Sequence, residues 1–354
     1  MMSKIQISSA LDLLGSLIKT PSFSSQESDT ADIIEAYLKN QAIQVERIKN
    51  NIIARNQGFD PNKKTLILNS HHDTVQIGDG WTKDPFGAEV NNGRIYGRGS
   101  NDAGGPLVSL IVAFESMYSE TLPYNLVLIA SAEEENFGPN GLSYVLKNTE
   151  LNPDFAIVGE PTEMQVGVSE MGLLVLDAHV KGKSGHVARD TGINSIYLAM
   201  KDIEWIESHQ FDKVSDYLGP TRMQVTQINS GTQHNVIPSD CSFVIDVRVN
   251  EKYRHEEIIE LLESNCTATF TPRSLKWRAS FTPLDHAVVQ SCQHLGLKTM
   301  GSTTLSDQVH FKCPSIKMGP GKSERSHTAD EYILLSEIED GIKTYIKLLK
   351  NLTL

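Results

Sequence analysis

Cysteine is scarce and scattered: Cys241, Cys266, Cys292 and Cys313 are the only four in 354 residues, and they form no C-x-x-C pair. That excludes a zinc knuckle and a disulfide framework, so the four read as reduced, mostly buried thiols. Long apolar runs are missing too. The opening MMSKIQISSALDLLGSLIKT carries Leu11, Leu14 and Ile18 at helical spacing, while Asp12 and Lys19 break the apolar core that a signal peptide would need. With no segment able to span a bilayer, the chain is expected to be soluble and cytoplasmic. Basic charge is short as well, 32 Lys and Arg against 44 Asp and Glu, for a net charge of −12. This disfavours nucleic acid and anionic membrane surfaces and leaves small molecules as partners. Among catalytic signatures there is no G-x-S-x-G elbow, no H-E-x-x-H and no complete G-x-G-x-x-G. The Gly-Lys-Ser runs at Lys183 and Lys322 lack the upstream glycine of a P-loop.

What is present has an order. The length exceeds the usual size of one compact domain, so two are expected. Over 65–161, apolar runs at 66–75, 125–131 and 155–158 alternate with helical patterns at 103–117 and 141–147. Strands alternating with helices imply an α/β domain with a mostly parallel sheet covered on both faces. Near Gly172 the texture changes. Leu174, Leu176, Ala178 and Val180 alternate as in a half-solvated strand, further strands fall at 225–228 and 243–249, and helices at 195–206 and 256–262. These features suit an inserted α+β domain with a small antiparallel sheet. The α/β texture returns after Pro283, and Ser336 with Glu339 fits a capping box ahead of a closing helix. The expected organisation is a discontinuous catalytic domain of residues 1–171 and 281–354 and an insert of 172–280.

In a parallel sheet of this kind, chemistry sits at the carboxyl ends of the strands. Each of the three runs ends in ionisable residues: His71, His72 and Asp73; Glu133, Glu134 and Glu135; and Glu160. Residues two apart in a strand share a face, so His71 and Asp73 can project together while His72 points away. In GRGSNDAGG, Asp102 lies among glycines that permit tight backbone turns near a ligand, although a helix-capping aspartate in an ordinary turn reads the same way. Three adjacent carboxylates in AEEEN repel one another unless cations neutralise them or water solvates them. One histidine, several carboxylates at the same sheet edge and a late histidine in RSHTADE make a nitrogen and oxygen donor set of the kind catalytic zinc takes.

The ordered set SHHDTV, GRGSNDAGG, ASAEEE, VGEPT, GKSGH, QHNVIP, DVR and SHTADE resembles the acetylornithine deacetylase and succinyl-diaminopimelate desuccinylase family of dinuclear zinc hydrolases, relatives of aminoacylases and carboxypeptidases. The resemblance implies two Zn²⁺ per subunit, with Co²⁺ or Mn²⁺ able to substitute: His71 and Glu160 on one, Glu135 and His327 on the other, and Asp102 shared. It makes Asp73 the residue that orients His71, Glu134 the general base, and His186 an oxyanion stabiliser supplied to the partner subunit of a homodimer. Asn235 and Arg248 match substrate-facing positions, with Arg248 suited to an α-carboxylate; pairing with Asp246 is its other reading. Glu133 departs from the family, which usually has Asp there. The implied activity is hydrolysis of an N-acyl amino acid, N-acetylornithine in arginine biosynthesis first. N-succinyl-diaminopimelate desuccinylation, N-acylcitrulline deacylation and dipeptidase or aminopeptidase activity are the alternatives.

Overall fold

The computed structural model describes residues 4–189, 191–352 and 354. The chain divides into two compact units, one of Met1–Val168, Thr282–Met300 and Ser306–Leu354, the other of Ser169–Phe281 and Gly301–Leu305. The expected joins differ from these by a few residues. The expectation also left 301–305 in the catalytic domain, whereas it belongs with the insert, where the Ser302 carbonyl accepts from Met171 N at 2.9 Å.

In the first unit the central sheet runs in the order Val45–Ile48, Asn51–Arg55, Asn125–Ser131, Thr65–His71, Phe155–Val158, Ser315–Lys317. The last four strands are mutually parallel and the first two form an antiparallel edge hairpin. Every residue of Thr65–His71 and of Asn125–Ser131 is buried, as expected of strands covered on both faces. The helix Gly105–Met117, buried along nearly its whole length, packs against the closing helix Leu335–Asn351. The latter turns Ile338, Ile342, Tyr345, Leu348 and Leu349 inward, at i, i+4, i+7 and i+10 to i+11 spacing.

The capping of that closing helix corrects the sequence reading. It starts at Leu335, so Ser336 lies inside it, and the reaching carboxylate is that of Glu337, which accepts from Leu334 N at 2.9 Å. Serine followed by glutamate at the right spacing was a misleading match because Glu337 occupies the third helical position.

The second unit is a four-stranded antiparallel sheet, in the order Arg222–Ser230, Asp240–Val249, Gly172–Lys181, Thr269–Pro272. Burial alternates along Gly172–Lys181 and Asp240–Val249, with Leu174, Leu176, Ala178, Phe243, Ile245 and Val247 in the core. The helices Ser195–Ser208 and His255–Asn265 add Ala199, Ile206, Ile258 and Leu262 to that core.

Candidate metal centre

The three parallel strands deliver their last residues to one edge of the sheet. His71 is the final residue of its strand, and its ring is 1% exposed. Its Nδ1 lies 3.0 Å from the Asp73 carbonyl oxygen and 3.5 Å from Asp73 Oδ1, so a proton on Nδ1 leaves Nε2 with a free lone pair. Nε2 faces three carboxylates: Asp102 Oδ1 at 3.3 Å, Glu160 Oε1 at 3.8 Å and Glu134 Oε2 at 3.9 Å. His72 turns the other way, with Nδ1 2.9 Å from Thr30 Oγ1 and Nε2 2.9 Å from the Asn50 carbonyl. Burial pushes its pKa down to about 4, which suits a neutral structural ring.

The glutamate run follows the strand Asn125–Ser131 as a turn. Glu133 has φ 56°, in the left-handed region, and this reverses the chain before Glu134. Its carboxylate then accepts from Asn140 N at 2.8 Å and Asn140 Nδ2 at 3.0 Å, closing the 133–140 loop. Glu134 and Glu135 therefore face the histidines together, although strand alternation would have separated them. Their backbone N–H groups donate to Asp73 Oδ1 and Oδ2 at 3.0 and 3.1 Å, and Ser24 Oγ donates to Oδ2 at 2.7 Å. Asp73 thus ties His71 to the acidic turn, a broader task than orienting one ring.

Asp102 lies in the turn ahead of Gly105–Met117. Its Oδ1 faces His71, while Oδ2 is 3.5 Å from His327 Nε2. His327, half exposed and at φ 60°, also meets Glu135 at 3.0 Å. Gly99 makes the Asp102 turn possible: its φ is +76°, and a Cβ there would come within 2.6 Å of Thr74 Cγ2.

The electrostatics show a surplus of negative charge. Burial, reinforced by Asp102, pushes the Glu160 carboxyl up to about 8. Glu134 is raised well above the carboxylate range by burial and by Glu160, Glu135 and Asp307, against the opposing pull of His71. Glu135 is raised by burial despite its bond to His327. Desolvation works against the charged form of His71, but the surrounding carboxylates outweigh it and raise its pKa well above 6.5. A buried cluster that resists ionising in this way suits bound cations, and two imidazoles with carboxylate oxygens form a donor set for borderline divalent ions. His71, Asp102 and Glu135 form one group with the closeness of a metal site, and His71, Glu134 and Glu160 form another.

A pH effect follows for the metal-free protein. Glu160, and Glu331 with a carboxyl raised to about 7 chiefly by burial, bind protons more tightly folded than at their ordinary 4.5. Their contribution to stability is therefore lost as pH rises through their folded pKa values. His71 and His327, both raised above 6.5, act with the same sign; Asp73 and Asp102, both lowered, act oppositely but only below 3.8. His72 also acts oppositely, between 6.5 and about 4. Stripped protein should melt at progressively lower temperature from pH 6.5 to 8 in differential scanning fluorimetry, and added Zn²⁺ should flatten the slope. A melting temperature that rises across this range without metal would contradict the electrostatic reading.

The remaining candidates belong to the second unit. His186 is exposed, its Nδ1 accepts from Ala188 N at 3.1 Å, and it pairs with Val236 in a short two-stranded ladder. That ladder brings it beside Asn235, which is also exposed and whose carbonyl accepts from Val187 N at 3.3 Å. Arg248 is gripped by Asp246, Nε to Oδ1 at 2.8 Å and Nη2 to Oδ2 at 3.1 Å, the second of the two readings its sequence allowed.

Two further buried acids lie beside the centre and were not singled out by the sequence. Asp307, 2% exposed, accepts from Ser131 Oγ at 2.5 Å. Glu331, 1% exposed, accepts from the backbone of the Asp102 turn. Glu331 follows Asp330, and an Asp-Glu pair reads as solvated surface. Nothing in the local pattern distinguishes it.

The profile of Peptidase family M20/M25/M40 matches residues 67–351. Succinyl-diaminopimelate desuccinylase 2 of Ruegeria sp. (strain TM1040) is 26% identical over 96% of this chain and 94% of its own. Acetylornithine deacetylase of Proteus mirabilis (strain HI4320) is 27% identical over 99% and 98%. Among solved structures, YXEP from Bacillus subtilis, described as a dinuclear metal-binding peptidase, superposes with a TM-score of 0.75 at 17% identity, covering 98% of both chains. Aminopeptidase PepT from Bacillus cereus gives 0.75 at 16%, covering 97% and 98%.

Proposed function

Because the chain belongs to the M20/M25/M40 peptidase family and so hydrolyses amide bonds, we propose that it removes the acyl group from the nitrogen of a small amino acid, N-acetylornithine first, with two zinc ions. The observation that carries this reading is the division of Asp102 between two histidines, His71 beside Glu160 and Glu134, and His327 beside Glu135. His71 and Glu160 would hold one ion, His327 and Glu135 the other, and Asp102 both; Co²⁺ or Mn²⁺ would suit the same donors. Bound there, the ions would polarise the amide carbonyl and lower the pKa of a shared water.

Glu134 is the general base: it takes the proton from the attacking water and hands it to the leaving amine. Burial raises its proton affinity, which favours accepting the water's proton. Asp73 keeps the Nδ1 proton of His71 engaged and fixes the backbone on which Glu134 stands. His186 is the oxyanion stabiliser of this reading, and Asn235 and Arg248 are the substrate contacts. Arg248 would exchange Asp246 for the substrate's α-carboxylate.

A homodimer belongs to the same reading. The strand Arg222–Ser230 stands at the edge of its sheet with Ile228 55% exposed, and the helix Ser195–Ser208 exposes Tyr197 and Met200. An unpaired strand edge with exposed apolar side chains beside it invites pairing with a second copy. No helix among the described residues is long and apolar enough to cross a membrane. Four cysteines without a disulfide suit work in the cytoplasm.

Desuccinylation of a diaminopimelate precursor is the second reading, favoured by the 26% identity to an enzyme of that name. Zinc-reconstituted protein should be assayed on N-acetylornithine, N-succinyl-diaminopimelate, N-acetylcitrulline and a dipeptide. Acetylornithine should turn over with the highest kcat/KM. Dipeptide turnover alone would place the chain with the peptidases of its family instead.

A further inference from the structure

Glu331 lies four residues after His327 and just before the strand Tyr332–Leu334, which pairs antiparallel with Arg94–Tyr96. That pairing seats it beside the glycine-rich turn, and its carbonyl accepts from Gly97 N at 2.9 Å. The carboxylate serves both ends of the turn. Oε1 accepts from Asn101 N and Asp102 N, each at 2.9 Å; Oε2 accepts from Gly99 N at 3.1 Å and Arg98 Nη1 at 2.9 Å. At 1% exposure it has little access to competing water. The turn would otherwise be loosely specified, because Gly97, Gly99, Gly104 and Gly105 surround Asp102, whose own backbone (φ −118°, ψ 100°) is not helical.

Resting on the reading of Asp102 as the shared ligand, we propose that Glu331 is a positioning residue for it. By fixing the amide N–H groups of Asn101 and Asp102 together with Gly99 and Arg98, it sets the direction in which the Asp102 carboxylate leaves the backbone. That direction sends one oxygen toward His71 and the other toward His327. A neutral amide can keep one pair of these donors but turns its own NH₂ against the other. A carboxylate one methylene shorter keeps its charge but cannot reach both ends. Both changes let Asp102 swing toward one histidine, so the two metal positions become unequal.

The test is titration of chelator-stripped wild type, Glu331→Gln and Glu331→Asp with Co²⁺, read by calorimetry and by the visible absorption of the bound ion. The wild type should take up two ions. Each variant should bind the more weakly held ion about 10 to 100-fold less tightly, the range typical of lost partners behind metal ligands, and with an altered spectrum. Its kcat should fall more than its KM changes. A role confined to folding would lower the melting temperature and leave the affinity and spectrum of the folded protein unchanged. That result in either variant overturns the proposal, and Glu331→Asp decides it if Glu331→Gln does not fold. A wild type that binds no pair of ions would instead overturn the metal reading on which the proposal rests.

Discussion

Glu134→Gln is expected to lower kcat by about 10²–10⁴-fold, the usual worth of a positioned acid-base group, while metal content stays at two ions per chain. The amide fills the same space, and its backbone N–H still donates to Asp73 Oδ1, so the acidic turn keeps its shape. On the proposed mechanism, what disappears is the capacity to accept the water's proton and return it to the leaving nitrogen. A neutral amide also escapes the cost of protonating or burying a carboxyl that resists ionising in the fold but is ionised in the unfolded chain, so the metal-free variant should melt higher than the metal-free wild type at pH 8. Lost turnover with higher stability is a pairing that a misfolded variant cannot imitate. Unchanged turnover would assign the proton transfers to another group.

Asp102→Ala should act on both metals at once. Each Asp102 oxygen faces a different histidine, so removing the side chain leaves two half-built sites. Loss of Lewis-acid assistance worth several kcal/mol, at 1.36 kcal/mol per decade of rate, corresponds to a fall of at least about 100-fold in kcat/KM. Thermal shifts give the independent readout. A ligand at a thousand times its Kd stabilises the folded state by about 4 kcal/mol, so saturating Zn²⁺ should raise the wild type's melting temperature by several degrees and the variant's by much less. Equal shifts in the two proteins would show that zinc binds without Asp102.

The parts of this architecture legible in the sequence are those governed by short-range pattern. The runs at 125–131 and 155–158 end where the strands end, because buried parallel strands are continuous apolar stretches bounded by polar residues. The strand Thr65–His71 is shorter than its apolar run, since the chain turns after His71 to let Asp73 reach back. Of the candidate ligands, His71, Glu135 and Glu160 follow strand ends and could be picked out there, whereas Asp102 and His327 lie in turns. Glu134 and Glu135 facing the same way could not be read from alternation, because it depends on the left-handed conformation of Glu133. Glu331, Asp307 and the membership of Gly301–Leu305 in the second unit are long-range facts. Each depends on partners far away in the chain, and a charged residue that will be buried looks locally like one that will not.

The proposed amide hydrolysis depends on a pair of divalent ions shared through Asp102. The most direct test of that dependence is to strip the protein with a chelator and titrate Zn²⁺ back while following N-acetylornithine hydrolysis and bound metal together. Negligible turnover is expected in the stripped protein, with recovery complete only at two ions per chain. Full turnover after stripping, or saturation of both binding and rate at a single ion, would contradict it.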